Sequence, residues 1–298
     1  MIKVLNFGSI NIDNVFTVDH FVQPGETLGV ESFRIFPGGK GQNQSIALAK
    51  AGCDVYLAAC IGKDGEWVLD GLRENNVNTD LVTVRDCDTG KAVVQVNKEG
   101  QNCILYYEGA NNTVDEAFID RVLADFGRGD LLVLQNEINM LDRIIDRAYG
   151  KGMVIALNPS PVNDALKACD LRKISYLLLN EIEGEVLTGS PEPEKMLDEL
   201  SRRYPDTRII LTLGGDGAYY KDRTKTCRQE AFKTEVVDTT AAGDTFSGYF
   251  LKCHLDKMSV EEALKTASFA ASIAVSRKGA AVSIPLWLEV AGKLGLDK

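Results

Sequence analysis

The sequence predicts an α/β fold, namely a doubly wound, mainly parallel sheet with helices on both faces. Six short apolar runs support this prediction, and helical patterns lie between most of them; they span residues 4–7, 55–59, 131–134, 154–157, 176–179 and 208–213. Continuous apolar strands that alternate with helices are typical of parallel sheets buried on both faces. No repeat or shift in composition marks a second domain, so we expect one domain over residues 1–298.

Two stretches interrupt the alternation and predict a small β-strand lid. Residues 14–36 contain β-prone apolar positions followed by Pro24 and Gly25. Residues 91–108 contain two β-prone runs around a turn at Gly100, which is the pattern of a β-hairpin. An extension of the main sheet is the alternative that periodicity leaves open.

Composition and charge exclude several classes of function. The formal net charge of the 298 residues is -10, which disfavours binding to nucleic acid or anionic membranes. The sequence contains no run of eighteen apolar residues, so we expect no membrane span. The first seven residues predict a strand rather than a signal peptide. The seven cysteines include no Cys-x-x-Cys pair, so we expect free thiols and a cytoplasmic location. Only His20 and His254 occur, both expected at the surface, which leaves little basis for histidine-dependent hydrolysis or metal ligation.

The most informative segment is residues 237–246, in which small residues lead into a helical pattern. The backbone amides of residues 241–244 should therefore lie at a helix start, where unpaired donors and the helix dipole attract anions. Asp244 is then either a helix cap or a base beside an anion-binding site. This segment taken alone favours the cap.

Two further segments carry polar groups at predicted turns. Residues 37–44 are rich in glycine around Lys40 and lead into a helix that should end at Gly52. They do not form a Walker A loop, and a tight strand-to-helix turn explains them equally well. Asn11 and Asp13 follow the first strand and should point the same way, either toward a polyol or as turn residues.

Together these segments resemble the ribokinase-like (PfkB) carbohydrate kinase family, and within it the ribokinase branch. The resemblance covers nearly the whole chain in the family's order. It rests on Gly-Ser-Ile-Asn-Ile-Asp at 8–13, Gly-Gly-Lys-Gly-Gln-Asn-Gln at 38–44, Gln-Asn-Glu-Ile at 135–138, Leu-Asn-Pro-Ser-Pro at 157–161, Asn-Glu-Ile-Glu at 180–183, Thr-Leu-Gly-Gly-Asp-Gly at 212–217, Asp-Thr-Thr-Ala-Ala-Gly-Asp-Thr-Phe at 238–246 and Ser-Arg-Lys-Gly-Ala-Ala at 276–281.

The resemblance implies a function for individual residues. Asp244 would be the catalytic base, and the anion hole would be formed by Ala241, Ala242 and Gly243. The sugar would be bound by Asn11, Asp13, Gly39, Lys40, Gly41, Asn43 and Glu137. ATP would be bound by Asn180, Thr212, Gly214, Gly217, Gly243 and Ser268. Glu183 would hold Mg²⁺ through water, and K⁺ would be bound by Asp238, Thr240, Ala274, Arg277, Gly279 and Ser283.

The resemblance further implies ATP-dependent phosphorylation of a small sugar, foremost ribose to ribose 5-phosphate, with Mg²⁺ and K⁺ as cofactors. Deoxyribose, fructose or its phosphate, or a nucleoside are the alternative acceptors. A non-catalytic sugar- or nucleotide-binding regulator is an alternative of another class. The lid would exclude water and join two copies of the chain in a homodimer. A dinucleotide oxidoreductase is disfavoured, because the first strand lacks a following Gly-x-Gly-x-x-Gly.

Overall fold

Two separate sheets organise the protein in the computed structural model, which describes residues 2–296. The strands of this described part are β1 (Val4–Phe7), β2 (Asn11–Thr17), β3 (Ser32–Gly38), β4 (Val55–Ile61), β5 (Val77–Asn78), β6 (Val82–Val84), β7 (Gly90–Val96), β8 (Asn102–Tyr107), β9 (Leu131–Gln135), β10 (Val154–Asn158), β11 (Tyr176–Asn180), β12 (Arg208–Thr212), β13 (Ala218–Lys221) and β14 (Thr226–Gln229). The helices are α1 (Lys40–Lys50), α2 (Val68–Glu74), α3 (Glu116–Leu123), α4 (Leu141–Gly150), α5 (Glu181–Thr188), α6 (Pro193–Arg203), α7 (Ala242–Leu255), α8 (Val260–Val275) and α9 (Trp287–Leu294).

The larger sheet has the strand order β14-β13-β12-β11-β10-β9-β1-β4-β5, and β6 also pairs with β4. Neighbours from β12 to β5 are parallel, whereas β13 and β14 continue the sheet in antiparallel fashion. All six apolar runs predicted as strands are strands, with bounds within two residues of those expected. The predicted α/β fold with a mainly parallel sheet is confirmed. We call this sheet and its helices the body.

Two apolar cores cover the two faces of the body's sheet. In β9, Leu131 and Val133 join the core with α1, α2, α7, α8 and α9. Leu132 and Leu134 join the core with α3, α4 and α6. Because successive side chains of a strand point to opposite faces, an uninterrupted apolar run supplies both cores at once. The sheet is therefore doubly wound.

The smaller sheet has the order β3-β2-β7-β8 and stands apart from the body's sheet. Strands β2 and β7 are parallel, and the other two pairings are antiparallel. The stretches 14–36 and 91–108 thus form a separate four-stranded layer, which we call the lid, and not an extension of the main sheet. Unlike the body's strands, β8 is exposed at every residue.

Helices α1 and α7 pack against each other unusually closely. At Gly248 of α7, an added Cβ would lie 2.7 Å from the Cβ of Ala47 in α1. Real Cβ atoms do not approach so closely, so only glycine allows this contact. The packing brings the start of α7 next to the start of α1, where two of the informative segments lie.

Several minor expectations can be compared with the structure. Within residues 2–296 no helix is both long and apolar enough to cross a membrane, and all seven cysteines are free. His20 is exposed as expected. The surface position expected for His254 is wrong, because the end of α7 packs its ring against the Tyr176 hydroxyl at 2.7 Å. Burial there lowers the pKa of His254.

Candidate active site

Polar residues collect at the carboxyl ends of five adjacent parallel strands. Ser9 and Glu137 follow β1 and β9, and Asn158, Asn180 and Thr212 end β10, β11 and β12. Open α/β sheets bind ligands in the crevice at this edge. The helices α1 and α7 begin at the same edge, which makes it the candidate active site.

Asp244 lies in the first turn of α7, where a chain of side-chain amides holds it. Gln44 Nε2 donates to Asp244 Oδ1 at 3.0 Å, and Gln135 Nε2 donates to Gln44 Oε1 at 2.6 Å. Gln135 Nε2 also donates to Asn6 Oδ1 at 3.0 Å. The Asn6 amide group donates to the Gly41 carbonyl at 2.7 Å. A carbonyl only accepts, so it fixes the orientation of every amide in the chain.

This chain leaves Asp244 partly free and more basic than an exposed aspartate. One carboxylate oxygen accepts from Gln44, and the Asn43 side chain is a second donor close to the carboxylate. Burial raises the pKa of Asp244, while the Lys40 ammonium and the Gln44 amide oppose the rise. A carboxylate with a raised pKa is a better proton acceptor at neutral pH.

The turn before Asp244 presents free backbone amides, though fewer than predicted. Ala241 is left-handed at φ 60°, and its carbonyl accepts from Thr245 N–H at 2.8 Å. The amides of Ala241, Gly243 and Asp244 meet no acceptor within residues 2–296. The expectation for Ala242 needs correction, because its N–H donates to the Thr239 carbonyl at 3.2 Å. The remaining donors and the helix dipole still attract an anion.

Strand β2 of the lid, which carries two of the residues predicted to bind the sugar, presents a carboxylate that no protein group satisfies. Asp13 accepts no hydrogen bond from residues 2–296 and lies against Gly38, where an added Cβ would be 2.1 Å from its Oδ2. Burial raises the pKa of Asp13 to about 6; the charge of Glu137 adds to the rise, and Lys40 opposes it. A half-buried carboxylate without a donor is available to a ligand that supplies one.

Glu137 and Lys40 join the turn after β9 to the start of α1. The Lys40 amide donates to Glu137 Oε2 at 3.0 Å, and Lys40 Nζ lies 3.4 Å from Glu137 Oε1. Ser9 Oγ donates to the same carboxylate. Burial opposes the charge of Lys40, but Glu137, Asp244 and Glu183 outweigh it and raise the pKa of Lys40. The ammonium is therefore a fixed cation between Glu137 and Asp244.

The glycine-rich segment packs directly on the turn after β1. A Cβ on Gly41 would lie 2.3 Å from the Ser9 amide nitrogen, and Gly39 has φ 95°. Asn43, one turn into α1, is 8% exposed, and its Oδ1 finds no donor within the described residues. Asn11 accepts from Asn111 Nδ2 at 2.8 Å. The seven residues predicted to bind the sugar thus lie on β2, at the start of α1 and in the turn after β9.

A cavity of about 400 Å³ extends from the start of α7 along α8. Its walls are largely apolar, as expected for a site that takes a planar base. Five of the residues predicted to bind ATP line it, namely Thr212, Gly214, Gly217, Gly243 and Ser268. A second cavity of about 170 Å³ shares Thr212, Ala242 and Gly243 with it and is also lined by Lys40 and Asp244.

Asn180 and Glu183 line the second cavity and form a helix capping box. Asn180 N–H donates to Glu183 Oε2 at 2.9 Å, and Glu183 N–H donates to Asn180 Oδ1 at 2.9 Å. The cap is compatible with the predicted binding of ATP and Mg²⁺, since it holds the Glu183 carboxylate at the cavity wall. No cluster of three or more His, Cys, Asp or Glu within residues 2–296 would hold a metal alone. The donor set fits Mg²⁺ that keeps waters and substrate phosphates as ligands.

The residues predicted to bind K⁺ meet beside the start of α7. Asp238 accepts from Thr240 N–H and Gly279 N–H, both at 2.9 Å, and these bonds outweigh burial and lower its pKa. The end of α8 adjoins them, because the Asp238 N–H donates to the Val275 carbonyl at 3.2 Å. The other predicted residues follow along this helix end and the loop after it: Ala274, whose carbonyl accepts from Arg277 N–H at 3.0 Å, and Ser283, which donates to the Ala280 carbonyl. Carboxylate, hydroxyl and carbonyl oxygens of this kind fit a large monovalent cation.

Sequence reasoning missed several residues that build the site. Gln44, Gln135 and Asn6 lay within the matched segments or strands but were assigned no function. Lys50 was also missed; it donates to the carbonyls of Ala281 at 2.9 Å and Ile284 at 3.0 Å and so orders the loop after α8. The available signal was a polar residue inside or directly after an apolar strand run, as at Asn6 and Gln135.

Comparison with known proteins agrees with this geometry. The family model described as pfkB family carbohydrate kinase matches residues 1–287. A ribokinase of Haemophilus influenzae is 34% identical over 290 residues, covering 93% of this chain and 94% of the relative. A deoxyribokinase of Salmonella typhi is 32% identical, with coverage of 93% and 94%. The structure of Arabidopsis thaliana ribokinase complexed with ribose and ATP superposes with a TM-score of 0.86 at 28% identity, covering 98% of both chains.

Proposed function

Because this chain belongs to the pfkB family of carbohydrate kinases, we propose that it transfers the terminal phosphoryl group of ATP to ribose, giving ribose 5-phosphate. One observation carries the proposal. Asp244 lines the wall of the smaller cavity together with Lys40, and this cavity joins the larger one along Thr212, Ala242 and Gly243. A base at that junction reaches both the acceptor hydroxyl and the phosphoryl group.

In the proposed reaction, Asp244 takes the proton from the attacking hydroxyl of the sugar. Such general-base catalysis contributes roughly 10²- to 10⁴-fold. The free amides of Ala241 and Gly243, with the dipole of α7, stabilise the charge on the transferring phosphoryl group. Gln44 holds Asp244 by Oδ1, and in the proposed reaction Oδ2 takes the proton of the acceptor hydroxyl.

The sugar is bound between the lid and α1. The unpaired Asp13 carboxylate accepts sugar hydroxyls, and the unpaired oxygen of Asn43 accepts another. Glu137 and Lys40 complete the polar ring around the sugar. A site that bonds hydroxyls in this way rejects analogues that lack them, because its own groups would be left buried and unpaired.

Two cations complete the proposal. Mg²⁺ is bound mainly by the phosphates and water, with Glu183 as the carboxylate that receives its water ligands. When bound, it neutralises phosphate charge. K⁺ occupies the site formed by Asp238 and the loop after α8, and orders the neighbouring turn at Ala241. Its effect should fall on turnover more than on sugar binding.

We also propose that two copies of the chain pair through the lid. The lid face opposite Asp13 carries large apolar side chains, and these are 36% to 66% exposed. They are Phe33, Ile35, Val93 and Leu105. Apolar surface of this kind is stabilised by burial against a second copy.

Deoxyribose is the second candidate acceptor, favoured by the 32% identity to a deoxyribokinase. The deciding experiment measures ADP release by purified protein with ATP and Mg²⁺ on ribose, deoxyribose, fructose, fructose phosphate and a nucleoside. We expect the highest kcat/KM for ribose. A higher value for any other acceptor refutes the assignment to ribose, and release on none of them refutes the kinase proposal in favour of a non-catalytic binding protein.

A further inference from the structure

Strand β8 ends with two adjacent tyrosines that point to opposite faces of the lid, because successive side chains of a strand alternate. Tyr106 is the register partner of Ala92, which is in turn the partner of Asp13. Tyr106 therefore shares the face of Asp13. Tyr107 pairs with Lys91 and lies on the other face.

The Tyr106 hydroxyl connects the lid to the sugar side of the body. It donates to the Glu137 carbonyl at 3.2 Å and accepts from Asn111 Nδ2 at 3.4 Å. The same nitrogen of Asn111 donates to Asn11 Oδ1 at 2.8 Å. Burial raises the pKa of Tyr106, and the charges of Glu137 and Asp13 raise it further. The hydroxyl thus lies among the residues proposed to bind the sugar.

The ring of Tyr106 is still 40% exposed, although its hydroxyl is engaged. Small Ala92 stands between Tyr106 and Asp13, while Phe36 is the register partner of Asp13 on its other side. The Tyr106 ring therefore limits the space above Asp13 on the β8 side, as Phe36 does on the β3 side. An aromatic ring offers an apolar face to the C–H surface of a sugar while its hydroxyl bonds elsewhere.

We propose that Tyr106 determines which acceptors fit, by closing the sugar site on its lid side. It admits a small monosaccharide and excludes acceptors with a bulky substituent directed at the lid, such as nucleosides. The inference rests on the proposed function, since it concerns the acceptor side of the same site. The contact with the Glu137 carbonyl fixes the ring against the body.

The experiment compares Tyr106→Ala, Tyr106→Phe and the matched variant Tyr107→Ala on ribose and inosine. Tyr106→Ala should raise the ratio of kcat/KM for inosine to kcat/KM for ribose by about 10-fold or more, within the range that a change of pocket volume gives. Tyr106→Phe keeps the ring and should leave this ratio unchanged, while the ribose KM rises about 3- to 10-fold. Tyr107→Ala should change neither quantity.

The outcomes separate the inference from the function on which it rests. Wild-type turnover on ribose tests the function alone. Light scattering and thermal unfolding establish that the three variants keep the wild-type assembly and fold, and calorimetric titration with ribose and inosine repeats the comparison without turnover. An unchanged ratio in a folded Tyr106→Ala variant, or an equal change in Tyr107→Ala, overturns the inference even if ribose is phosphorylated.

Discussion

The body and the lid use apolar residues in opposite ways. Strand β9 of the body is buried at all five residues, whereas β8 of the lid is exposed at all six. Helices cover both faces of the body's sheet, but no helix within residues 2–296 covers the lid face that bears Leu105, which is 66% exposed. The body therefore buries its apolar strands with its own helices. The apolar outer face of the lid can be buried only by a binding partner.

The division of labour follows from this difference. Chemistry that needs fixed geometry lies in the body, where Asp244 is held by amides from β1, β9 and α1. The proposed recognition of the sugar lies in the lid, where Asp13 and Tyr106 are placed. Substitutions in the two regions should consequently affect different kinetic constants.

The largest effect is expected in the body, from Asp244→Asn. Turnover should fall by at least about 10²-fold, because the amide cannot accept the hydroxyl proton. Thermal stability should hold, since burial already disfavours the carboxylate charge and the Asn oxygen still accepts from Gln44. The measurements are steady-state kcat and thermal unfolding, with Asp256→Asn at the other end of α7 as the control. Turnover within 10-fold of the wild type would remove Asp244 as the base.

Asp13→Asn tests the lid's part and should act on binding. We expect the ribose KM to rise about 10-fold or more and the ATP KM to change less than about 2-fold, since only hydroxyl acceptors are lost. Turnover at saturating ribose should stay near that of the wild type. A rise in the ATP KM of similar size would place Asp13 outside the sugar site and weaken the division between body and lid.

The pH dependence of ribose use sharpens the same test. The folded pKa of Asp13 is about 6, above its ordinary value of 3.8, so the carboxylate gains a proton as the pH falls through 6. The protonated form no longer accepts two hydroxyls, so kcat/KM for ribose should fall by about 10-fold per pH unit below 6. The Asp13→Asn variant should lack this fall. Parallel profiles for both proteins would assign the dependence to another group.

Potassium should have a smaller effect, confined to the body. In a tetramethylammonium buffer at constant ionic strength, KCl should raise kcat several-fold, NaCl less so, and the ribose KM should change little. The reason is that the cation orders the turn at Ala241 and does not touch the sugar. Asp238→Ala should abolish the activation. A flat response of the wild type to KCl contradicts the proposed site.

The smallest effect on the folded chain is expected from Leu105→Asp on the outer face of the lid. It should convert the proposed dimer to a monomer in light scattering, while the thermal unfolding of the body stays close to that of the wild type. Leu288→Asp is the matched control, since Leu288 is 78% exposed on α9 of the body. Monomeric wild-type protein, or an unchanged dimer in Leu105→Asp, contradicts pairing through the lid.

Prediction from sequence succeeded where burial leaves a local pattern. The strands from β12 to β4 in the sheet order are buried on both faces and so appear as unbroken apolar runs, while β5, β6, β13 and β14, toward the two ends of the sheet, were not predicted. The amide chain behind Asp244 was missed because it joins distant segments: Gln135 and Asn6 are 129 residues apart. The N–H of Ala242 is engaged in the turn that the left-handed conformation of Ala241 allows. Alanine rarely adopts this conformation, so the sequence contained no signal for it.

The close packing of α1 on α7 bears on how such a protein acquires new acceptors. Where Gly248 meets Ala47, no side chain can be enlarged, so residues along this helix pair must change together or not at all. Strand β8 of the lid is under no such constraint, because all six of its residues are exposed. Substitutions in the lid can therefore arise one at a time without disturbing phosphoryl transfer. A change of acceptor should therefore need fewer simultaneous substitutions than a change in the phosphoryl-transfer site.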